Sequence, residues 1–526
     1  MFIQMDQLRL LTGMKVQVQE IESRHSLKSV SLYLGPALFL LCLIIPPLPG
    51  VAEAAGAVGL SYASAPQYGL GVLLWTACWW IFETTPLGLA ALVPVMLFGL
   101  ASLLTWKQAL APFMDPLIWV VMVGFLFAKS FQVWGLDKRV ALTISSLSRT
   151  RDPALAGFFV ASLPVFFLTI TGSMTAATSI VYGFVLAFLM RQGFHRGSSY
   201  GAATLLALGQ AATAGSLLFL TSTTTNLIGK KVILETTGVD LTFVDWFFVG
   251  SFHAIAGLII SWLIVYRMIK PEVRQLPFDS QTLKRELSSL GRITRGEKIT
   301  VGLLLFTLLL WIIPGLLQNI ALGSPELKPL SDAVSSALPE AGPAVLAIFL
   351  FPLIRNGGRR LLEWDEILKD SVNWDVIFLV GGGITLGLGL MASGFSEWVT
   401  LISRGVIGSN PDELVIFAAC SLIGFLLSYP ASNTGAASMA CPLAASLSIA
   451  AGINPIGPVL GTAIATTIPS TLPSTTPAMA IAYSSGYVKM RDMVRVGLAA
   501  DLIRFGLLLL LGPPIINWFL AFKGIA

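Results

Sequence analysis

Two short polar segments, Thr169-Ile-Thr-Gly-Ser173-Met174-Thr175 and Ser428-Tyr-Pro-Ala-Ser432-Asn433-Thr434, share one spacing of hydroxyl side chains. Each lies among apolar residues and is followed by a second polar run, Ser222-Thr-Thr-Thr-Asn226 in one half of the chain and Thr475-Thr-Pro-Ala-Met479 in the other. A third matched pair lies upstream: Trp119-Val-Val-Met-Val-Gly124 and Val376-Ile-Phe-Leu-Val-Gly381. Because the order is the same in both halves, we predict an internal repeat of the inverted kind found in secondary transporters.

The composition places this repeat in a membrane. Of 526 residues, 55% are hydrophobic and 12% are charged, and the mean hydropathy is +0.80. Soluble domains carry about 25% charged residues. The net charge is +5, and the basic residues lie in short connectors between apolar runs. This distribution is typical of the cytoplasmic loops of membrane proteins and does not indicate a nucleic-acid partner. We therefore predict a multi-pass protein, surrounded by lipid, of a plasma or inner membrane.

A membrane-spanning helix needs about 20 mostly apolar residues. Several runs of the chain are shorter than this and contain Gly, Ser, Thr or Pro, which is typical of broken helices and re-entrant hairpins. The predicted runs are 30–48, 69–82, 87–103, 117–133, 181–193, 199–220, 243–269, 299–317, 342–354, 376–392, 414–427, 436–450, 456–468 and 498–519.

The basic residues predict the orientation of these runs. The connector 267–298 is rich in Lys and Arg and is expected in the cytoplasm, whereas 318–341 and 51–67, with one basic residue and none, are expected outside. The predicted organisation is a cytoplasmic N-terminal segment, a first repeat half, a cytoplasmic connector and a second repeat half, at 1–29, 30–269, 270–298 and 299–526.

The Ser/Thr-rich runs predict a binding site. Backbone that leaves a helix inside a membrane must face protein or a water-filled cavity, since lipid offers its N–H and C=O groups no partners. There the positive N-terminal ends of half-helices attract oxyanions, and freed carbonyls can ligate sodium. Close helix packing would explain one such run. Four runs, paired by position and without Lys or Arg, favour a site for a small anion.

At these residues the chain resembles the divalent anion/sodium symporter family, which carries dicarboxylates, citrate or sulfate. The family's Ser-Asn-Thr motif matches Ser432-Asn433-Thr434, and its Thr-Pro motif matches Thr476-Pro477. Further matched stretches are 374–383 (WDVIFLVGGG), 135–142 (GLDKRVAL) and 83–86 (ETTP). The resemblance runs from residue 79 to 497, and the motifs occur in the family's order.

The resemblance implies an all-α polytopic membrane protein with about eleven transmembrane helices and two re-entrant hairpins in an inverted repeat. It also implies a scaffold domain that forms a homodimer and a transport domain that moves as an elevator. The implied function is secondary active transport of a di- or tricarboxylate or of sulfate, coupled to sodium ions. A sodium-independent exchanger of the same fold and a related inorganic-ion antiporter remain as alternatives.

The family's site residues carry over by position. The implied anion site comprises Ser173, Thr175, Thr223, Ser432, Asn433, Thr434, Thr476 and Pro477. One implied cation site uses Thr169, Ser173 and backbone near Ser222, and the other uses Ser428, Ala431, Asn433 and backbone near Thr475. The chain departs from the family at Met174 and Met479, where the family has Asn, and at 222–226. Because a thioether is a poor sodium ligand, Met174 favours the second cation site over the first.

Other residues carry weaker predictions. An enzyme is not expected, because the three histidines are scattered and no nucleophile–base pair or metal motif is evident. His253 is interpreted as a packed histidine in preference to a proton relay, and Glu83 as a partner of helix-end amides in preference to a proton-coupling group. Lys230 and Lys231 could steer anions or complement a helix end. The four cysteines are interpreted as small buried hydrophobes.

Overall fold

The computed structural model describes residues 28–147, 150–276, 280–407, 412–430 and 432–525. Across these residues the protein is built from α-helices, and its β-structure is one antiparallel pair, β1 (Arg355–Asn356) with β2 (Arg359–Arg360). The predicted all-α class is thereby confirmed. Most of the predicted N-terminal segment 1–29 lies outside the described residues, and Lys28 already begins the first helix.

The helices of the first half are α1 (Lys28–Ile44), α2 (Val51–Ala57), α3 (Ala65–Ile81), α4 (Leu87–Ala90), α5 (Leu92–Leu100), α6 (Trp106–Leu110), α7 (Pro116–Trp134), α8 (Leu136–Ser145), α9 (Pro153–Gly157), α10 (Leu163–Leu168), α11 (Met174–Arg191), α12 (Ser199–Gly215), α13 (Thr224–Thr237) and α14 (Phe243–Met268). Those of the second half are α15 (Ser280–Ser289), α16 (Arg295–Gly323), α17 (Lys328–Ala337), α18 (Ala341–Leu350), α19 (Trp364–Glu366), α20 (Trp374–Ala392), α21 (Phe395–Ile407), α22 (Glu413–Leu427), α23 (Asn433–Ala450), α24 (Ile456–Thr467), α25 (Pro477–Ser484) and α26 (Met490–Lys523).

Short turns of other helix types join some of these elements. The 3₁₀ turns are Ala111–Met114, Thr169–Thr171, Leu220–Ser222 and Pro325–Leu327, and the π turns are Phe158–Ser162 and Ile367–Ser371.

Within the described residues, seven helical stretches are long and apolar enough to cross a membrane, and an eighth is added if the bent pair Pro325–Ala337 and Ala341–Leu350 forms one span. The protein is thus a multi-pass membrane protein. The predicted count of about eleven spans stays a prediction, because the remaining candidates are short or broken helices whose crossing depends on their neighbours.

Two helical hairpins interrupt the succession of long helices. In the first hairpin, the stretch Pro153–Thr171 leads to a turn at Gly172, and α11 returns from it. In the second, α22 leads to a turn and α23 returns.

The predicted runs omitted the first arm of the first hairpin. Gly157, a π turn and Pro164 interrupt that arm, although the whole stretch is as apolar as the other spans.

Each half also contains one broken helix. The backbone leaves helical geometry between α12 and α13, and again between α24 and α25. The run predicted at 199–220 therefore ends early, because its last residues belong to the break. The run predicted at 498–519 is longer than expected, since α26 extends from Met490 to Lys523. The connector predicted at 270–298 contains α15, and its last four residues belong to α16, which begins at Arg295.

Two apolar clusters organise the packing. The smaller cluster joins α3 and α5 to α20 and α21 through buried side chains such as Trp80, Phe98 and Leu386. The larger cluster contains both hairpins and both broken helices. Large apolar side chains on the outer faces of the long helices, for example Leu305 and Leu309 on α16, are exposed, as expected of surfaces that meet lipid.

Candidate functional site

The tip of the first hairpin is a tight turn pressed against α7. Gly172 has a φ of 85°, and a methyl group added there would stand 2.6 Å from the Gly124 Cα. A residue with a side chain would be strained in that conformation and would also collide with backbone. Ser173 follows as the N-cap of α11, with its hydroxyl accepting a bond from the Ala176 N–H at 3.2 Å. The close packing fixes where α11 begins.

The tip of the second hairpin has the same design. Ser432 is the N-cap of α23, and its hydroxyl accepts a bond from the Gly435 N–H at 3.2 Å. Ser428 ends the first arm and donates its hydroxyl proton to the Thr466 carbonyl at 2.7 Å, which ties the tip to the end of α24. Ala431, predicted to contribute to the second cation site, lies outside the described residues.

Oxygen atoms surround the Asn433 side chain, and this arrangement fits a sodium ion. One end of the carboxamide lies 2.6 Å from Ser428 Oγ, 3.0 Å from the Thr475 carbonyl oxygen and 3.3 Å from the Thr466 carbonyl oxygen. Because the Ser428 hydroxyl donates its proton to the Thr466 carbonyl, Ser428 Oγ accepts a hydrogen bond from Asn433. The amide nitrogen, which is a donor, therefore suits the end of the carboxamide that faces these oxygen atoms. When the amide oxygen faces inward instead, four oxygen atoms converge, which is the ligand set that a hard cation prefers.

The corresponding position of the first half lacks this amide. Thr169 resembles Ser428, because its hydroxyl lies 3.0 Å from the Gly215 carbonyl at the end of α12. Ser222 is buried, and its hydroxyl has no hydrogen-bond partner within the described residues. Met174, however, stands where the second half has Asn433. The first half thus offers hydroxyl and carbonyl oxygens but no side-chain amide, and it fits a sodium ion less well.

Both helix breaks end in a threonine that begins a new helix. Thr476 is the N-cap of α25, and its buried hydroxyl accepts a bond from the Met479 N–H at 3.2 Å. Thr223 is the N-cap of α13 and lies 3.5 Å, hydroxyl to hydroxyl, from Thr225. Each break therefore presents the positive end of a half-helix together with a hydroxyl group.

Direct contacts join these helix ends, both within each half and between the two halves. The Thr224 and Thr434 hydroxyls lie 2.7 Å apart, which links the start of α13 to the start of α23. The Asn433 N–H donates to the Thr475 carbonyl at 3.3 Å, which links α23 to the second break. Gly172 of the first hairpin packs near the Thr221 carbonyl of the first break. These contacts bring together the N-terminal ends of α11, α13 and α23 and the break before α25.

The predicted anion-site residues differ in exposure. Ser173, Asn433 and Thr476 are buried, Thr223, Ser432 and Thr434 are half-buried, and Thr175 and Pro477 are exposed. Along α11 the exposed face continues from Thr175 through Ser179 to Gly183 and Ala187. Small and polar residues on an exposed face are unlike the leucine-rich surfaces of the lipid-facing helices. This face is suited to lining a water-filled passage to the site.

The prediction that Lys230 and Lys231 complement a helix end was wrong. Neither lies in the last turn of α13, which ends at Thr237, so they do not complement that helix end. Both are paired with carboxylates, and a role in steering anions stays a prediction. Their partners are Asp240 and Glu340 for Lys230, and Asp115 and Glu235 for Lys231.

Other predictions concern buried residues. His253 is buried beside the Phe252 ring, and its Nε2 atom finds no partner in the part of the chain that the structure describes, in agreement with a packed histidine. All four cysteines are buried and free. Glu83 has a φ of 46° in the turn after α3, and its N–H donates to the Trp80 carbonyl. Whether its carboxylate binds helix-end amides stays a prediction.

Sequence reasoning missed several residues that hold the site together. Thr224, Thr225 and Thr467 form the hydroxyl contacts between the halves, and Gly124 supports the first hairpin tip. Thr224 and Thr225 belong to a run that was quoted as a motif, so the signal was present. Nothing in the sequence indicated which hydroxyl of one half would meet which hydroxyl of the other.

Comparison with known proteins agrees with this architecture. Residues 51–521 match the family model described as "Sodium:sulfate symporter transmembrane region". The chain is similar to proteins named "Sodium-dependent dicarboxylate transporter SdcS" from Staphylococcus aureus. It is 30% identical to those of strains bovine RF122 / ET3-1 and MSSA476 and 29% identical to that of strain USA300. Each match spans 493 residues, 90% of this chain and 88% of the relative. The chain belongs to the sodium:sulfate symporter family, within the divalent anion/sodium symporters that its motifs resemble.

Proposed function

We propose that this protein is a secondary active transporter that carries small divalent anions, dicarboxylates foremost, together with sodium ions. The observation that carries the proposal is the meeting of helix N-terminal ends from both halves. The Thr224–Thr434 contact joins the halves, and the Asn433–Thr475 contact joins α23 to the second break. Such ends, with hydroxyl groups and without Lys or Arg, attract an oxyanion but do not hold it as a fixed cation would. The similarity to sodium-dependent dicarboxylate transporters supports this substrate class over sulfate.

The anion would be bound by Ser173, Thr175, Thr223, Ser432, Asn433, Thr434, Thr476 and Pro477. Sodium would be bound at the second half by Ser428, Asn433 and the Thr475 carbonyl, with Ala431 as the family position outside the described residues. Thr169, Ser173 and Ser222 form the weaker candidate in the first half. A cation at either place would reduce the repulsion between the anion and the surrounding carbonyl oxygens, so sodium and anion binding would favour each other.

An elevator movement is part of this proposal. The hairpins and broken helices would form the transport domain, and the cluster of α3, α5, α20 and α21 would belong to a scaffold that forms a homodimer in the lipid bilayer. The exposed face of α11 supports a site that opens toward the cytoplasm in this conformation. Ion pairs from α13 to Asp115 and Glu340 would join the two domains and would break during the movement. No enzymatic activity is proposed.

The test is uptake into liposomes that contain the purified protein. Labelled succinate, malate, citrate and sulfate are offered separately, with an inward sodium gradient and with choline in place of sodium. We expect saturable uptake of dicarboxylates that requires sodium. If no anion moves under a sodium gradient or against internal counter-substrate, the proposed function is wrong.

Met174 supports a second candidate, sodium-independent exchange on the same fold. Restoring the amide with Met174→Asn would complete the first cation site beside Thr169 and Gly215. We expect the variant to need less sodium for half-maximal uptake, by about tenfold, and to show a steeper sodium dependence. The measurement is initial uptake across a sodium series, with Met479→Asn as a control at the other departure from the family. Equal curves for Met174→Asn and wild type would show that Met174 does not limit sodium binding.

A further inference from the structure

The second helix break is held by charged groups, although it lies inside the membrane-embedded core. Asp501 of α26 is fully buried, and its carboxylate accepts bonds from Ser470 N–H at 2.8 Å, Ser470 Oγ at 2.7 Å and Thr471 Oγ1 at 2.7 Å. One turn later on the same helix, Arg504 donates to the Ile468 carbonyl at 3.2 Å. Two ionisable side chains thus bind the break between α24 and α25.

Asp501 also reaches the tip of the second hairpin. Its carboxylate accepts a bond from the Tyr429 hydroxyl at 3.2 Å, and Tyr429 follows Ser428 in the chain. The residues that Asp501 holds are therefore neighbours of those that surround the Asn433 amide. Ser470 and Thr471 precede Thr475 within one break, and Tyr429 adjoins Ser428. One carboxylate fixes the two segments whose oxygen atoms must converge on a cation.

The first break, between α12 and α13, is held in place by uncharged side chains. There, the Asn226 amide donates to the Ser216 and Phe219 carbonyls at 2.9 and 3.0 Å, and the Trp246 indole donates to the Leu217 carbonyl at 3.1 Å. These partners are neutral. Ionised groups are costly inside a membrane protein and usually have a functional reason. The charged pair accompanies the half that keeps Asn433, whereas the neutral ties accompany the half with Met174.

We propose that Asp501 is a positioning residue for the second sodium site. Its negative charge holds Ser470, Thr471 and Tyr429 at once, so that the Thr466 and Thr475 carbonyls meet Ser428 and Asn433 at cation-binding distance. Arg504 offsets the buried charge and fixes the start of the break. Asp501 does not touch the cation itself. This inference rests on the proposed function, since it concerns the sodium site of that function.

The test compares sodium affinity among variants of the full-length protein. Thr471→Val and Tyr429→Phe each remove one hydroxyl donor but keep the charged pair, so they are expected to fold, and Asp501→Asn removes the charge. Sodium affinity is read from the rise in melting temperature across a sodium series, which needs no transport, and from the sodium dependence of succinate uptake. Ser448→Ala, which removes a buried hydroxyl elsewhere on α23, is the control.

We expect Asp501→Asn to raise the half-saturating sodium concentration about 10- to 100-fold, as is typical when a residue that orients a metal ligand is lost. Thr471→Val and Tyr429→Phe should raise it by smaller factors. The KM for succinate at saturating sodium should stay within about twofold of wild type, and Ser448→Ala should leave the sodium response unchanged.

Other outcomes would overturn the inference. If the Thr471 and Tyr429 variants melt at lower temperature but keep the wild-type sodium response, Asp501 has a structural role only. If wild-type protein itself shows no sodium response in melting or uptake, the proposed sodium coupling fails first, and the positioning role fails with it.

Discussion

Asn433→Ala is expected to raise the sodium concentration for half-maximal uptake about 10- to 100-fold, the range observed when a residue beside a metal ligand set is lost. The amide lies 2.6 Å from Ser428 Oγ and 3.0 Å from the Thr475 carbonyl. Alanine would leave those oxygen atoms without either a donor or a fourth ligand. Uptake of labelled succinate across a sodium series in liposomes measures the change.

Asn433→Asp separates the two roles of this residue. The carboxylate keeps an oxygen for the cation but repels an anion, so sodium affinity should be retained while the KM for succinate rises. Asn454→Ala is a matched control, because Asn454 also donates its amide to a carbonyl, that of Ile525, but at an exposed position. If Asn433→Ala has the sodium curve of the wild type, the second site is not where this protein binds sodium.

Lys230→Met is expected to destabilise the protein by about 3–5 kcal/mol, the cost of breaking a buried ion pair by removing one partner. The Lys230 side chain is 5% exposed, and Nζ lies 2.5 Å from Glu340 Oε2 and 2.9 Å from Asp240 Oδ1. Methionine would fill the space of the lysine stem but would leave the Glu340 carboxylate, whose side chain is 19% exposed, without its partner. The melting temperature of the purified protein in nanodiscs measures the loss.

The double variant Lys230→Met/Glu340→Met should recover most of this stability, because apolar residues replace a buried pair at little cost. Lys328→Met is the matched control. Its partner Asp332 and Lys328 itself are more than half exposed, so the change should stay within about 0.5 kcal/mol. A double variant that is no more stable than Lys230→Met would show that the two residues do not stabilise the protein through their pairing.

Local patterns in the sequence predicted the elements of the site but not their mutual contacts. The hydroxyl spacing at Thr169 and Ser428 predicted two equivalent turns. In the structure these two residues end the first arms of the hairpins, and Ser173 and Ser432 begin the second arms. The meeting of Thr224 with Thr434 depends on how the two halves interlock. Because the two residues come from different halves, no periodicity within one half could predict that contact.

Interrupted and charged helices were the hardest to predict. The first arm of the first hairpin was missed because Gly157 and Pro164 divide its apolar residues into short runs, and packing against α12 restores its helix. Asp501 and Arg504 were overlooked within a run assigned as apolar. Two ionisable residues in a membrane helix were a usable signal. The more buried carboxylate partner of Lys230, Glu340, lies in a distant connector, so the burial of that lysine could not be foreseen from composition.

The difference between Met174 and Asn433 has a consequence for the energetics of the whole cycle. A dianion that crosses with two sodium ions moves no net charge, whereas a dianion that crosses with one sodium ion moves one net negative charge. Each elementary charge is worth about 2.3 kcal/mol per 100 mV of membrane potential. With the cell interior negative, the voltage would oppose net uptake by a carrier that uses the second site alone, whereas one-for-one exchange would move no net charge and would be unaffected. One side chain at the first hairpin tip could therefore decide the direction in which the voltage pushes the substrate.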